Sequence, residues 1–460
     1  MTGTPSNTES VEPGSSAAGA AHAPAALAKE TRSLLNHPAV LYGTIGIVGL
    51  LVLLWVGVES GIARPFVSGT DSSQYASIAA SVAHGAGYRD PVGLFPMKPA
   101  TDRVPAWPLL MSVGMRLAPD ARDEVISRVT NLICLVLSGV FMGALCRKLG
   151  VRPWLCLLGG LFVIFSPILV YVALEGLSEI SFILFVTAGV ALVYAGGWYL
   201  YLGAILIGLG PLVRPNFVIV PVVFAALAWL LPSTKPAALS RAMLVRVLIA
   251  LCLTMVPTGL WLARNYAVTG RFPLLTTFYG EALYGSDNDG TATMLVEYWG
   301  GWVFPDYIPG ETPKKELAKR LGNDVALNDY YVERGKEWVR THPKQLPRLL
   351  LGKMVRSLAL IPWTNSPTWQ EWVAYDSRLF LLAVVLFTWK FWWPVMDRRY
   401  LLFLAAVAIS HVITTILIDG QLRYSFCFFE IFTVPCAALG MDRWLARRRD
   451  HRPLTNVGAA

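Results

Sequence analysis

The chain has 460 residues, of which 55% are hydrophobic and only 15% charged, and its mean hydropathy is +0.51. A soluble domain carries about 25% charged residues, so composition excludes an ordinary soluble domain and points to a membrane protein. Much of the net charge of +9 sits in short loops between apolar runs, where it sets orientation and makes no nucleic-acid footprint. Cys134, Cys146, Cys156, Cys252, Cys427 and Cys436 lie in or beside apolar runs with no CxxC pair, so they read as small buried side chains, with no disulfide frame or zinc site.

Residues 1–36 are rich in Ala, Ser, Thr, Pro and Gly and are expected to form a disordered tail. The run at 39–58 has the roughly 20 apolar residues a bilayer requires. It lacks a small-residue cleavage site in the right place, and so reads as a span and not as a signal peptide. Further runs follow at 129–146, 153–173, 177–195, 199–213, 216–231, 247–263, 378–395, 401–418 and 424–441, giving about ten spans. Basic clusters at Arg147, Lys148 and Arg152, at Lys235, Arg241 and Arg246, at Arg398 and Arg399, and at Arg443 and Arg447–Arg449 fall on one side of that count. The positive-inside rule makes that side, and both termini, cytoplasmic.

The segment 347–363 is apolar but carries Arg348, Lys353 and Arg356. Each cation at mid-bilayer would cost about 2.5 kcal/mol or more, so an amphipathic helix on the outer interface is expected. The chain then divides into the tail 1–36, a membrane core 37–263 with an outer loop at 59–128, a second outer region at 264–377, C-terminal spans at 378–445 and a cytoplasmic tail at 446–460. Most acids lie outside, so the working surface faces away from the cytoplasm, where neither ATP nor nucleotide sugar is available. No P-loop glycine motif is present.

The outer loop opens with GTDSSQYASIAASVAHGAGY, 69–88. Asp71 and Gln74 resemble a capping box, with one helix over 72–84 ending at Gly85. On pattern alone capping is the favoured role of Asp71; the sharper one is an active-site carboxylate at the water–lipid boundary. DRVPAWP, 102–108, sets Asp102 and Arg103 before two prolines that stiffen the approach to the next span. Arg103 either snorkels to head groups or is presented to a phosphate. Glu175 and Glu179 lie at the outer end of a hairpin; the turn suits Glu175, whereas Glu179 leads directly into an apolar run and is a functional candidate. Arg214 breaks two short runs, and pairing with a carboxylate or carbonyl is its favoured role. Arg264 at the exit of the seventh span and Arg423 with Tyr424 at the entry of the tenth lie on the side that cations avoid, which suggests an anionic partner such as a lipid phosphate. GSDNDG, 285–290, contains a D-x-D, but ordinary turn chemistry explains it better than a metal. His84 and His342 have no partner at ligand spacing and read as structural.

Taken in order, these residues resemble the integral-membrane glycosyltransferases of the C-type fold, nearest to bacterial relatives of the dolichyl-phosphate-mannose protein mannosyltransferases and of the aminoarabinose lipid A transferase. The resemblance rests on Asp71 with Tyr75, Asp102-Arg103 before Pro105 and Pro108, Ser178-Glu179, Arg214-Pro215, Arg264-Asn265-Tyr266 with Gly270, His342-Pro343 before Lys353, and Arg423-Tyr424, over roughly 39–445. The chain has Asp71-Ser72 where the family often has two acids, and Arg103 where it often has Lys.

The resemblance implies an α-helical polytopic membrane protein of about ten transmembrane helices, in a bacterial inner membrane. It also implies a glycosyltransferase that moves a sugar, with inversion, from a polyprenyl-phosphate-linked donor to a protein, lipid or glycan acceptor on the extracytoplasmic face. Asp71, Asp102 and Glu179 are the expected catalytic carboxylates, with Asp71 as base. Arg103, Arg264, Arg423 and Lys353 are the expected phosphate ligands, with Tyr75 and Tyr424 positioning substrate. No cofactor is expected, and a divalent metal is not favoured. The rival readings are a lipid-linked sugar flippase, a polymerase or ligase using diphosphate-linked donors, and a membrane scaffold. No duplicated half supports the flippase.

Overall fold

The computed structural model describes residues 36–59, 61–67, 70–96, 98–230, 241–271, 275–292, 300–358, 369–418, 420 and 422–450. The expected disordered tail falls almost wholly outside them, as does most of the C-terminal tail. Among the described residues the chain is helical, its one strand-like pairing being an isolated bridge between Arg89 and Pro99.

The helices are α1 (Pro38–Glu59), α2 (Asp71–Ala83), α3 (Ala106–Leu117), α4 (Asp123–Lys148), α5 (Pro153–Phe165), α6 (Pro167–Leu174), α7 (Glu179–Ala195), α8 (Tyr199–Leu209), α9 (Ile219–Leu230) and α10 (Arg241–Thr269). There follow α11 (Tyr279–Ser286), α12 (Asp289–Ala292), α13 (Lys314–Leu321), α14 (Asp324–Thr341), α15 (Leu346–Ser357), α16 (Trp369–Phe387), α17 (Trp389–Trp392), α18 (Arg398–Leu417), α19 (Leu422–Phe428) and α20 (Val434–Asp450).

Four helices, α1, α4, α10 and α18, are long and apolar enough to cross a membrane. The pair α5–α6 makes a fifth if counted as one span, bent by 43° at Ser166-Pro167. The bend follows from Pro167, which has no N–H to donate and clashes with the preceding turn. Shorter apolar helices cover Glu179–Ala195, Tyr199–Leu212 and Pro215–Leu227.

Two runs expected as continuous spans are broken. The run at 378–395 is interrupted at Thr388, whose hydroxyl bonds back to the Val384 carbonyl at 2.7 Å. The run at 424–441 is split by a 3₁₀ turn at Glu430–Thr433. This turn carries Glu430 to Arg378 on α16, where Arg378 Nε donates to both carboxylate oxygens at 2.8 and 2.6 Å. Both side chains are 2–3% exposed. A carboxylate this deep needs a cation more than the helix needs to be continuous. The segment 102–108 also does not run straight into the second span: it leads into α3, which lies against α2.

Helix α4 is central, packing on α1, α3, α5 and α7. Small residues bring the axes together. A methyl group added at Gly189 of α7 would lie 2.9 Å from the Gly203 carbonyl of α8, and one at Gly139 of α4 would lie 2.7 Å from the Gly160 carbonyl of α5. Such contacts replace the hydrophobic driving force that lipid cannot supply. Outside this bundle, α2 and α3 pack over Tyr75, Trp107 and Met111, and α11 packs on α14 with Tyr284 and Tyr331 stacked at 6.0 Å. Five cysteines are buried as expected; Cys252 instead faces outward on α10.

Breaking the Arg378–Glu430 pair is expected to lower stability steeply. Glu430→Ala should cost about 3–5 kcal/mol, because it leaves a buried guanidinium uncompensated. The double variant Arg378→Met/Glu430→Leu should recover most of the loss, read as the melting temperature in detergent. Equal losses for single and double variants would contradict this.

Candidate functional site

Asp71 is the first helical residue of α2, and Thr70 is its N-cap. The Thr70 hydroxyl turns back to the Val67 carbonyl at 2.7 Å and makes no cap bond. The Asp71 carboxylate accepts from Arg103 Nη2 at 2.8 Å, and the Gln74 side-chain oxygen accepts from Arg103 Nε at 2.9 Å. The Asp-x-x-Gln spacing, expected as a capping box, is therefore a clamp on one guanidinium. The far end of the helix is as expected, with Gly85 beyond it at φ +81°. The Ser72 hydroxyl donates to the Glu175 carbonyl, and Trp107 Nε1 to the Gly176 carbonyl at 3.2 Å. These bonds seat α2 and α3 on the turn between α6 and α7. That turn breaks the helix, so Glu175 and Glu179 share no continuous face.

The Arg103 side chain is 11% exposed and Asp71 is 29% exposed. The guanidinium lies 4.6 Å from the Phe278 ring and 5.6 Å from the Tyr75 ring. Burial works against its charge, but Asp71, Tyr75, Asp102 and Glu281 together hold its pKa above the ordinary arginine value. Tyr75 is 3% exposed, beneath this cation in the α2–α3 core. Arg103 Nη1 has no hydrogen-bond partner among the described residues.

The loop carrying Arg103 is pinned by Tyr88 from its own stretch of chain and by residues 264–277 from further on. Tyr88 donates its hydroxyl to the Arg103 and Val104 carbonyls at 3.1 and 3.0 Å. Arg264 donates to the Ala100 carbonyl at 2.7 Å and to Asn265 at 2.8 Å, and stacks 4.7 Å from Trp261. The Thr276 hydroxyl donates to the Asp102 carbonyl at 2.5 Å, and the Thr277 amide to the Thr101 carbonyl at 2.8 Å. Segments 74–103 and 277–331 thereby close around a narrow cleft of about 50 Å³.

Asp90, Asp102, Arg103, Glu281, Lys314 and Asp324 supply its charges. Lys314 pairs with Glu281 at 2.5 Å. Asp90 is 6% exposed; its Oδ1 accepts from the Ser77 hydroxyl at 2.7 Å, while Oδ2 is buried without a hydrogen-bond partner among the described residues. Burial pushes the Asp90 carboxyl up, aided by the Asp102 charge and opposed by the Ser77 bond. Asp324, at the start of α14, accepts from the Thr101 hydroxyl at 3.2 Å. Burial, then the Asp102 charge, pushes its carboxyl up to about 7. Chemically, this is a cleft of several carboxylates, one able to exchange a proton near neutrality, with a fixed cation at its edge.

Of the residues expected at the site, Asp71, Asp102, Arg103 and Tyr75 come together here. Arg264 braces the loop and does not line the cleft. Glu179, fully buried at the start of α7, pairs with Arg214, whose guanidinium lies 5.5 Å from the Tyr424 ring and 5.6 Å from the Phe428 ring. The ion pair expected as the favoured role of Arg214 is thus present, and it joins two candidates, Glu179 and Tyr424, outside the cleft lining. Lys353 is also fully buried. It donates to Asp287 at 2.5 Å, to Ser286 at 3.4 Å and to the Ile416 carbonyl at 3.2 Å, tying α15 to α11 and α18. The Arg423 side chain lies outside the described residues. The D-x-D aspartates diverge, Asp287 to Lys353 and Asp289 to Trp338 Nε1 at 2.9 Å. Among the described residues, no three His, Cys, Asp or Glu side chains converge as a metal cage. Glu281, Lys314 and Asp324 were not singled out by the sequence. Asn323-Asp324 after Gly322 is a helix-start signal that marks a carboxylate position, but not which cleft it faces.

No family model and no curated protein matches the sequence. Solved structures do. The archaeal oligosaccharyltransferase AglB from Archaeoglobus fulgidus, in complex with an inhibitory peptide and a dolichol-phosphate, matches over 91% of this chain and 52% of its own, with TM-score 0.51 and 13% identity. The apo form of the Archaeoglobus fulgidus oligosaccharyltransferase matches over 89% and 51%, with TM-score 0.52 and 13% identity. The likeness is one of fold. This chain spans about half the length of the structures it matches.

The Asp324 value fixes a pH prediction. Its folded pKa, about 7, exceeds the unfolded value of about 3.9. Its contribution to stability is therefore complete below pH 4 and is lost as pH rises through 7. Asp102 is the acid that faces it; Lys314 and Lys98 are the opposing cations. Asp324→Asn should raise the melting temperature at pH 8 and leave it nearly unchanged at pH 4. A pH-independent difference would contradict the coupling.

Proposed function

We propose that the chain is a membrane glycosyltransferase that takes a sugar from a polyprenyl-phosphate donor on the extracytoplasmic face. The observation that carries this reading is the Asp71–Arg103 pair at an acid-lined cleft between two outer regions, on a fold like that of an oligosaccharyltransferase. About ten spans in the C-type arrangement, a bacterial inner-membrane location and cytoplasmic termini belong to the same proposal.

In the reaction, the acceptor hydroxyl attacks the anomeric carbon. Asp71 takes the hydroxyl proton as the new C–O bond forms. The bond from the anomeric carbon to the phosphate oxygen breaks, with inversion, and the lipid phosphate leaves as a dianion. That leaving group needs charge neutralisation more than it needs an acid. Arg103 supplies it, with Nη1 as the donor left over from its clamp. Arg264 holds the loop that carries Arg103, and Asp102 faces the sugar. Lys353 and Glu179 act in this scheme through the helices that their ion pairs hold together.

The test is a screen of radiolabelled polyprenyl-phosphate sugars against membranes containing the protein. Transfer to an acceptor is expected, and Asp71→Asn should slow it by about 10²–10⁴-fold. A folded, inserted and fully active Asp71→Asn protein would sink the assignment of the base. Transport of a lipid-linked sugar with no transfer from any donor would replace the enzyme with a flippase.

A further inference from the structure

The cleft does not end at Arg103. Phe278, whose ring lies 4.6 Å from the guanidinium, begins a row of aromatic rings that leads away from the site. Phe278 to Trp302 is 6.4 Å between centroids, Trp302 to Phe304 is 4.5 Å, and Phe304 to Tyr307 is 6.0 Å. Exposure rises along the row: Phe278 and Trp302 are half-buried, Phe304 is 52% exposed and Tyr307 is 76% exposed. The row is fixed at its inner end, where Trp302 Nε1 donates to the Glu281 carbonyl at 3.4 Å. It is fixed again beside Tyr307, where Asp306 accepts from the Lys314 amide at 2.5 Å.

At the inner end, the cleft presents carboxylate oxygens in excess of its cations. Glu281 is taken by Lys314, but Asp90, Asp102 and Asp324 have no cation bonded to them among the described residues. The Asp90 Oδ2 atom is the sharpest case. It is a buried polar atom in the cleft wall without a partner among the described residues, a desolvation cost that a ligand hydroxyl or a water would relieve.

We infer that the cleft and the aromatic row together form an extended binding site for a glycan chain, and that the acceptor is therefore a carbohydrate. This rests on the glycosyltransferase reading and deepens it. A sugar presents hydroxyl donors at its rim and C–H groups on its faces. Carboxylates accept the first, and exposed aromatic rings pack against the second. An acyl chain would not fit, because Asp306 stands between the exposed Phe304 and Tyr307 in the chain and the inner end of the row opens on the charged cleft. A peptide would leave Asp90 Oδ2 and the neighbouring carboxylates without the dense hydroxyl donors that a sugar brings. The terminal residue sits at the mouth of the cleft beside Arg103, which Asp71 clamps from α2, and the preceding residues lie along Trp302, Phe304 and Tyr307.

The test uses the purified full-length chain and a panel of neutral mono- and trisaccharides of mannose, glucose and arabinose, with binding read by saturation-transfer NMR. For at least one sugar type the trisaccharide should bind about tenfold more tightly than the monosaccharide. The Phe304→Ala/Tyr307→Ala variant, altered at exposed positions only, should lose that gain while keeping its melting temperature. Asp90→Asn should weaken monosaccharide and trisaccharide alike. Absence of a chain-length gain, or a gain untouched by the double variant, overturns the inference, as does tighter binding of a peptide or a phosphatidylglycerol vesicle at the same residues. The two readings fail separately. Transfer to a peptide or lipid, unaffected by the double variant, removes the glycan acceptor and leaves the transferase. Chain-length-dependent binding without transfer from any donor removes the transferase and leaves the glycan site.

Discussion

A guanidinium that is almost out of water cannot shed its proton, so its surroundings must be built to tolerate it. Arg103 imposes that demand on every segment packed around it. Asp71 and Gln74 meet it from α2, Tyr75 from beneath and Phe278 from the start of α11. Phe278 stands 175 positions after Arg103 in the chain, so these groups converge only because the segments before and after the helices between them fold against each other. The supporting bonds follow the same plan. Arg264 holds the Ala100 carbonyl, Thr276 holds the Asp102 carbonyl, and Tyr88 holds the Arg103 carbonyl itself. Backbone groups that would otherwise be buried without partners become the fastenings of the site.

The deeply buried ion pairs elsewhere obey a related rule. Three buried ion pairs, Glu179–Arg214, Lys353–Asp287 and Arg378–Glu430, each join elements distant in sequence. Attraction at low dielectric offsets desolvation only with good geometry, and the chain bends to provide it. The 3₁₀ turn at Glu430–Thr433 and the start of α7 at Glu179 both lie where a carboxylate must face a guanidinium. Such pairs add little net stability over apolar packing, but they punish any other register. They therefore fix which helices are neighbours.

Sequence patterning made the helices legible, because a long apolar run in lipid has no other way to satisfy its backbone. The breaks were less legible. Pro167 announces its bend through its missing N–H, whereas Glu430 reads as a stray acid until Arg378 is known to face it. At the site, Asp71 and Arg103 were recognisable as a carboxylate and a cation in one loop. Their direct pairing was not, since capping explained the same Asp-x-x-Gln spacing equally well. Lys353 and Asp287 were each singled out for separate chemistry, and in space they satisfy each other. Asp324 lay beyond reach for a different reason. Its property is set by the Asp102 charge more than 200 positions away and by burial under a fold that no local pattern encodes.

The pairing of Asp71 with Arg103 bears on how the proposed reaction could be timed. A carboxylate bound to a guanidinium is a poor base, because taking a proton would cost it the ion pair. A lipid phosphate arriving at Arg103 changes that balance. In the proposed reaction the donor phosphate arrives as a singly charged diester and gains its second charge only as its bond to the anomeric carbon breaks, so its pull on the Arg103 N–H donors grows during transfer. In that scheme the guanidinium shifts toward the growing charge as the bond breaks, and Asp71 is released from part of its clamp as it takes the acceptor proton. The same cation then neutralises the charge that grows on the departing phosphate. One residue in this scheme restrains the base when the site is empty and stabilises the leaving group when it is full. A lysine could provide the charge but not the planar, several-donor face that two oxyanions can share.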